Sequence, residues 1–402
     1  MSEQIKFEAV EKLSKLKFNT REIRNLSRID TISPPSVFIG SKLRYPNVNV
    51  GILSPLEKEE NVSIYDDAKS WAKNNFSIQN VLRLRENLLN SRFQSNVSDA
   101  RLNNKFVGIA RDVAVALRPV DVEIEFKEKI NVGKRIDRVL TPHGLKAGLK
   151  DAKIVSNVKI HHKVDRVMND EIKAGEGIKY LYNNSFDEYS LQKVLSVGAL
   201  GLKKDKRLVP TRWSITATDD IIGKDLISDL REFQVLENYE CFFGEFMGNQ
   251  YLIMLFPDVW SFELFELYYP GSSWNPSNEM KASTDYESFE GRKSYASNCV
   301  GGYYATRFPI TEYLKSIKRQ ASVLVIRLET PSYWAALGVW VVRESVRKAL
   351  DCGAMKFETK KELIDNIKKI AKIKYDFDSQ IIFNKSILLK TLGQQKKLGE
   401  WL

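Results

Sequence analysis

The sequence predicts an α+β protein: a mixed-sheet core with surrounding helices, two intertwined regions and a flexible C-terminal tail. Three observations carry this expectation. Val120-Asp121-Val122-Glu123-Ile124-Glu125-Phe126 alternates apolar and polar residues without a break, the period of a half-buried strand. Ser322-Val323-Leu324-Val325-Ile326-Arg327-Leu328 is almost continuously apolar, which fits a central strand covered on both faces. Elsewhere apolar residues recur at helical spacing, as at Val107, Ala110, Val113, Ala114 and Leu117.

Residues 1–33 are a polar amphipathic stretch with Arg21, Arg24 and Arg28, and Pro34-Pro35 ends any helix there. Segments 36–40 and 48–53 are short strands bounded by Gly and Pro. Residues 64–93 are helical with turn breaks, and a helix over 98–117 stops at Pro119. A helix over 221–239 places Ile222, Leu226, Leu230 and Phe233 on one face. Segments 239–246 and 251–256 flank Met247-Gly248-Asn249-Gln250 as a hairpin, and 260–269 is the next strand. Residues 270–291, rich in Gly, Ser, Asn and acids, form a loop of the length found in lids and domain junctions. A helix begins near Arg292 and is kinked or restarted by Pro309. A further helix covers 334–350, and Thr359-Lys360-Lys361-Glu362 is a capping box that opens another. The expected organisation is an N-terminal region 1–290, a C-terminal region 291–385 and a tail 386–402.

The 402 residues include 62 Lys and Arg against 51 Asp and Glu, a net charge of +11. That balance favours polyanionic partners such as DNA, through phosphate contacts and counterion release. No apolar run approaches the length of a membrane-spanning helix, and the first residues lack the apolar core of a signal peptide. A cytoplasmic protein without a membrane partner is expected. Cys241, Cys299 and Cys352 are too few and too widely spaced for a disulfide framework or a zinc site. With only His143, His161 and His162, a histidine-rich metal centre or a Ser-His-Asp triad is disfavoured, although His143 could serve alone.

The block from Arg207 to Asp220 fits neither an amphipathic helix nor an alternating strand. Arg212 beside Trp213 could grip a phosphate and stack a base. Thr218 or Asp219 could cap a following helix, and Asp219 with Asp220 could hold Mg2+ or Mn2+, since hard cations prefer carboxylate oxygens. A buried ion-paired turn before an acidic helix N-terminus explains the same residues equally well. His161-His162-Lys163 invites comparison with phospholipase-D-type nucleases, but Met168 stands where their aspartate is required. Glu263 and Glu266, three apart on a strand, point to opposite faces and do not make a joint metal site. Asp285, Glu287 and Glu290 lie in the long loop and are expected to be solvated. Arg292 and Lys293 at a helix start, where cations are disfavoured, point to an anionic ligand. Arg319, just before the apolar strand, joins them as a nucleic-acid candidate, whereas Tyr303, Tyr304 and Arg307 fit packing better. Arg327 inside a doubly covered strand needs a partner: Glu344, an acid of the N-terminal region, or a phosphate.

The last residues are Gln395-Lys396-Lys397-Leu398-Gly399-Glu400-Trp401-Leu402. In a 3₁₀ turn, residues three apart eclipse, so Leu398 and Trp401 share one side and Leu402 follows as a compact apolar plug. The pattern resembles the PCNA-interacting peptide that docks replication and repair proteins on the sliding clamp. The resemblance gives Gln395 the hydrogen-bonding role and Leu398, Trp401 and Leu402 the plug. The alternative is a tail packed back on its own domain.

A wider resemblance covers about residues 34–350. Pro34-Pro35-Ser36-Val37-Phe38-Ile39-Gly40, Tyr45-Pro46-Asn47-Val48-Asn49-Val50-Gly51 and the stretch 208–220 resemble the archaeal Nre family of DNA repair proteins. So do Arg118-Pro119-Val120-Asp121-Val122-Glu123, Asp137-Arg138-Val139-Leu140-Thr141-Pro142-His143-Gly144, Gln320-Ala321-Ser322-Val323-Leu324-Val325 and Trp340-Val341-Val342-Arg343-Glu344. The resemblance implies an N-terminal and a C-terminal region, DNA damage repair and, in one branch, a clamp-binding tail. Many members begin with a cysteine-rich metal-binding segment; here no cysteine precedes Cys241, so that site is not carried over. The resemblance supplies no catalytic mechanism. Three functions remain open: a repair factor recruited by PCNA, a metal-dependent nuclease or nucleotide-processing enzyme using Asp219, Asp220 and Arg212, and a non-catalytic DNA-binding scaffold.

Overall fold

The structure is a computed structural model that describes residues 26–102, 104–128 and 143–392. Among these residues are two six-stranded sheets and 12 helices, an α+β fold as expected. The chain divides into two compact units, 26–222 and 223–392.

The first sheet has the order β1-β5-β6-β4-β3-β2, with β1 Arg28–Ser33, β2 Val37–Gly40, β3 Asn47–Ser54, β4 Leu89–Asn96, β5 Val120–Phe126 and β6 Lys146–Ile154. Only the β4–β6 pair is parallel. Its inward residues are Val48, Val50 and Ile52 on β3 and Val120, Val122, Ile124 and Phe126 on β5, all buried. Helices α1 Ala68–Lys73 and α2 Ile78–Glu86 come before β4, and α3 Lys105–Val115 lies against the inward face. Then follow α4 His162–Asn169, α5 Ala174–Asn183 and α6 Glu188–Ser196. The alternation of β5 is observed as read. β1 and β4, by contrast, lie in stretches expected to be polar or helical. Both draw much of their inward surface from small hydroxylated residues, Thr31 and Ser33 in β1 and Ser91 and Ser95 in β4, so an apolar pattern is weak there.

Helix α7, Thr211–Leu230, corrects the reading of 207–220 and begins ten residues before the expected helix. Ser214, Thr218, Ile222, Leu226 and Leu230 form one buried stripe four residues apart. The stripe begins with hydroxyls, which conceals its helical period. Thr218 and Asp219 are therefore mid-helix residues and not caps.

The second sheet has the order β10-β9-β11-β8-β7-β12: β7 Tyr239–Phe246, β8 Asn249–Phe256, β9 Ser261–Tyr268, β10 Lys281–Glu287, β11 Ser322–Glu329 and β12 Met355–Phe357. β7 and β8 form the expected hairpin, with Met247 and Gly248 at φ 51° and 75° in the two-residue turn. Every residue of β11 is buried, parallel to β9 and antiparallel to β8. One face packs Tyr251, Ile253, Leu264, Val323 and Val325 against α8 Val300–Ser316 and α9 Trp340–Asp351. The other packs Leu252, Met254, Phe265, Leu324 and Ile326 against α10 Lys360–Tyr375, α11 Gln380–Lys385 and α12 Ile387–Thr391. The capping box at Thr359 and Glu362 is present.

Three expectations fail in this unit for one reason: buried charge. β10 crosses the supposed loop 270–291, and its Asp285 and Glu287 are buried. Glu287 pairs with Arg307 at 2.8 Å and accepts from the Trp260 indole at 3.3 Å. Asp285 accepts from the backbone N–H of Asn298 and Cys299 and pairs with Arg292 at 3.2 Å. Arg292 is thus engaged in the protein, eight residues before α8 starts. Pro309 lies inside an unbroken α8, and 334–339 precede α9 as mostly irregular backbone.

Arg327 takes none of its expected routes except the acid of the N-terminal region. Its Nη1 donates to Glu266 on β9 at 2.5 Å and its Nη2 to Glu329 at 3.0 Å. Its Nε and Nη2 also donate to Asn249 on β8, at 3.0 and 2.6 Å. Glu344 instead pairs with Arg347 at 2.7 Å. A Cβ at Gly302 on α8 would lie 2.2 Å from Glu266 Oε1, so only glycine lets that helix sit over the pair. Glu263, on the opposite face as expected, accepts from Ser386 and from the N–H of Ile387 and Leu388 at the start of α12.

Removing one partner of a buried pair costs about 3–5 kcal/mol. Glu266→Ala is expected to lose that much in urea denaturation of the second unit, while the double variant Glu266→Leu with Arg327→Met recovers most of it. His143 is buried against Phe38, ring centroids 5.1 Å apart, and burial pulls its pKa from 6.5 down to about 4. Its neutral form is favoured in the fold, so its contribution is present above pH 6.5 and is lost as the pH falls toward 4, a change of about 3 kcal/mol. A series of melting temperatures from neutral pH to about 4.5 should show a shallower acid-side decline for His143→Gln than for the wild type.

Candidate nucleic-acid interface

Three segments distant in sequence lie side by side at one end of the first sheet. Val97 N–H donates to the Pro46 carbonyl at 3.0 Å, and Leu208 N–H donates to the Val97 carbonyl at 2.9 Å. Val209 N–H donates to Ser196 at 2.8 Å, and Ile39 N–H donates to Thr211 Oγ1 at 2.9 Å. These bonds fasten the β2–β3 loop, the 3₁₀ turn Val97–Arg101 and the start of α7 to one another.

On that platform Tyr45 and Trp213 are neighbours, with ring centroids 5.8 Å apart and planes tilted by 41°. They remain 52% and 49% exposed. Two large aromatic rings half in water are costly to leave bare, and their faces suit a stacked base. Arg44 and Arg212 flank them and are exposed, as are Lys42, Lys203, Lys204 and Arg207 nearby in the same segments. Asp205 is the exposed acid among them. Arg101 Nη1 donates to the Lys204 carbonyl at 2.6 Å. The Lys206 pKa is held down, first by burial and then by Arg111. Arg212 sits in the first turn of a 20-residue helix, where the macrodipole disfavours a cation, and a bound anion would relieve that repulsion.

The structure thus brings Arg212 and Trp213 to an exposed surface and adds Tyr45, which sequence reasoning missed. A signal was present: Lys42-Leu43-Arg44-Tyr45-Pro46 sets an aromatic ring in a cationic loop next to a proline. Asp219 and Asp220 do not join this surface. Both are buried, and consecutive helical positions diverge by about 100°. Gln192 Nε2 donates to Asp219 Oδ1 at 3.4 Å. Among the described residues no group of three or more His, Cys, Asp or Glu side chains could hold a metal ion. His161 caps α4, accepting from Lys163 N–H at 3.1 Å.

Arg292, Lys293 and Arg319 belong to the second unit. Arg292 also donates to the Tyr286 carbonyl at 2.9 Å, Lys293 is exposed, and Arg319 pairs with Glu237 at 3.3 Å. Gln395, Leu398, Trp401 and Leu402 lie outside the described residues. Among the described residues no helix is long and apolar enough to cross a membrane.

Two family models match the chain: "Archaeal Nre, N-terminal" over residues 3–275 and "Archaeal Nre, C-terminal" over 287–401. The chain is similar to the DNA repair protein NreA of Haloferax volcanii, 39% identical over 323 residues, covering 79% of this chain and 77% of that protein. It is similar to the DNA repair protein NreA of Archaeoglobus fulgidus, 40% identical over 347 residues and 86% of each chain. It is also similar to the DNA repair protein NreB of the same organism, 33% identical over 372 residues, 92% of this chain and 91% of that protein. No solved structure matches it.

Proposed function

The chain belongs to the archaeal Nre family, and we propose that it is a DNA repair protein that is brought to DNA by the PCNA sliding clamp and holds an unpaired strand on its Tyr45–Trp213 surface. The observation that carries the strand contact is that aromatic pair, half exposed and bordered by Arg44 and Arg212. Stacking on exposed rings beside cations is tolerant of sequence, which suits a factor that meets damage anywhere. The relatives' description as DNA repair proteins supports the wider role.

Recruitment rests on the spacing of Gln395, Leu398, Trp401 and Leu402. A short peptide of this kind binds with modest affinity, and the ring around the duplex then raises the local concentration of the whole protein at DNA. The metal-nuclease reading of Asp219 and Asp220 is set aside, because both carboxylates are buried inside α7.

Trp213→Ala is expected to weaken binding of a labelled single-stranded oligonucleotide by about 1–3 kcal/mol, read by fluorescence anisotropy. Undiminished affinity would remove the stacking contact. Leu398→Ala and Trp401→Ala should each abolish the calorimetric heat of binding to purified PCNA and leave the melting temperature of the protein unchanged. Wild-type heats from either variant would refute recruitment through the tail.

A further inference from the structure

We propose that Arg111 and Lys206, both in the first unit, form a subsite for a phosphoryl group of the bound strand. The inference rests on the proposed DNA role and adds an anion contact to the platform that carries the aromatic pair.

Arg111 lies on α3, one turn after Gly108, and is half-buried. Among the described residues its guanidinium makes no hydrogen bond and no ion pair, and its Nε is fully buried. A partly dehydrated guanidinium has five donors to satisfy, and a phosphoryl group is an anion that its fork fits. Arginines that the fold draws inward elsewhere are answered by acids: Arg307 by Glu287 and Arg327 by Glu266.

Lys206 is the second cation. It follows the 3₁₀ turn Lys203–Asp205, is half-buried, and donates from Nζ to the Met168 carbonyl at 2.5 Å, in the last turn of α4. A cation is favoured at a helix C-terminus, so that bond accounts for Lys206. It does not account for a second cation close enough to act on it. Burial lowers the Lys206 pKa first, and Arg111 lowers it next, by more than Glu171 raises it. Glu171 is engaged by Lys203, whose N–H donates to it at 3.3 Å and whose Nζ stands 3.9 Å away. Asp170 is engaged by Arg166 at 3.4 Å. Asp112 follows Arg111 in sequence, but consecutive helical residues do not face each other. Burial raises the Asp112 pKa against the pull of Arg111. Two half-buried cations therefore repel each other here, and an anion bound to both would relieve that repulsion.

The helix surface beside Arg111 has room. Gly108 sits inside α3, where glycine is disfavoured, and nothing outside the helix backbone lies within 4 Å of the place its Cβ would take. Packing therefore gives no reason for glycine at this position, and the surface one turn before Arg111 is open. The two cations also share their supports with the aromatic pair. The 3₁₀ turn Val97–Arg101 leads into α3; Arg101 donates to the Lys204 carbonyl, and Val97 is bonded to Pro46 and Leu208. The same main-chain bonds thus steady the segments that carry Tyr45, Trp213, Arg111 and Lys206. A strand stacked on the rings and a phosphoryl group between the cations would rest on one support.

The test uses the full-length protein and a single strand of mixed sequence, labelled with fluorescein at its 3′ end and carrying either a 5′-phosphate or a 5′-hydroxyl. Binding is read by anisotropy across a salt series. Arg111→Gln and Lys206→Gln should each weaken binding about tenfold, as loss of a charged hydrogen bond does. Each should also lower the slope of log affinity against log salt by about 0.7. Gly108→Glu should weaken binding as much, because a carboxylate three residues before Arg111 pairs with its guanidinium. Gly108→Ala should keep wild-type affinity. Arg111→Gln should not lower the melting temperature, since it removes a repulsion and no bond; a clear loss would mean that the protein already satisfies this cation, which overturns the subsite. A tenfold preference for the 5′-phosphate that Arg111→Gln abolishes assigns a strand end to the subsite. Equal affinity for both ends, with the same loss in the variants, assigns a backbone phosphate. If wild type binds and Trp213→Ala weakens binding while Arg111→Gln, Lys206→Gln and Gly108→Glu match wild type, the subsite is overturned and the proposed function stands. If wild type binds no strand at all, both fall.

Discussion

Arg327 is the constraint around which the second unit is built. It occupies the middle strand of a six-stranded sheet, covered on both sides, where an unpaired cation would be prohibitively expensive. Its fork is satisfied only when β9 supplies Glu266 and β8 supplies Asn249, so one side chain fixes the register of three strands at once. The helix over that face must then expose bare backbone at Gly302 to make room. A second pair, Arg307 with Glu287, repeats the device between α8 and β10. Buried pairs of this kind add little to net stability compared with apolar packing, but they penalise any misregistered arrangement heavily.

Where the fold follows from apolar periodicity, it could be read directly. The alternation of β5, the buried run of β11, the β7–β8 hairpin and the Thr359 capping box each announce themselves within one short window. What escaped was polar burial. α7 hides its period behind Ser214 and Thr218, and β10 looks like a solvated loop because Asp285 and Glu287 are acids. Their partners, Arg292 and Arg307, belong to other elements, and no local pattern reveals such a pairing. The same limit applies to the candidate surface. Arg212 and Trp213 are adjacent and could be suspected together, whereas Tyr45 reaches them only through the bonds that join Pro46, Val97 and Leu208.

The first unit handles charge in another way. Its sheet is apolar and closed on one face, and on the other each outward carboxylate of β5 is paired with a cation. Glycine has a different role on this sheet from the one it has beneath Glu266. There it admits a helix; at Gly51 it makes room for the Asn90 amide, whose oxygen an added Cβ would approach to 1.8 Å.

The boundary between the two family segments, 275 to 287, falls inside the second sheet. Strands β7, β8 and β9 come from the first segment, and β11, which lies between β9 and β8, comes from the second. A gene cut at that boundary would give two polypeptides with complementary raw edges, neither holding a complete hydrogen-bonding neighbourhood for its strands. The two segments therefore fold as one sheet and not as independent modules.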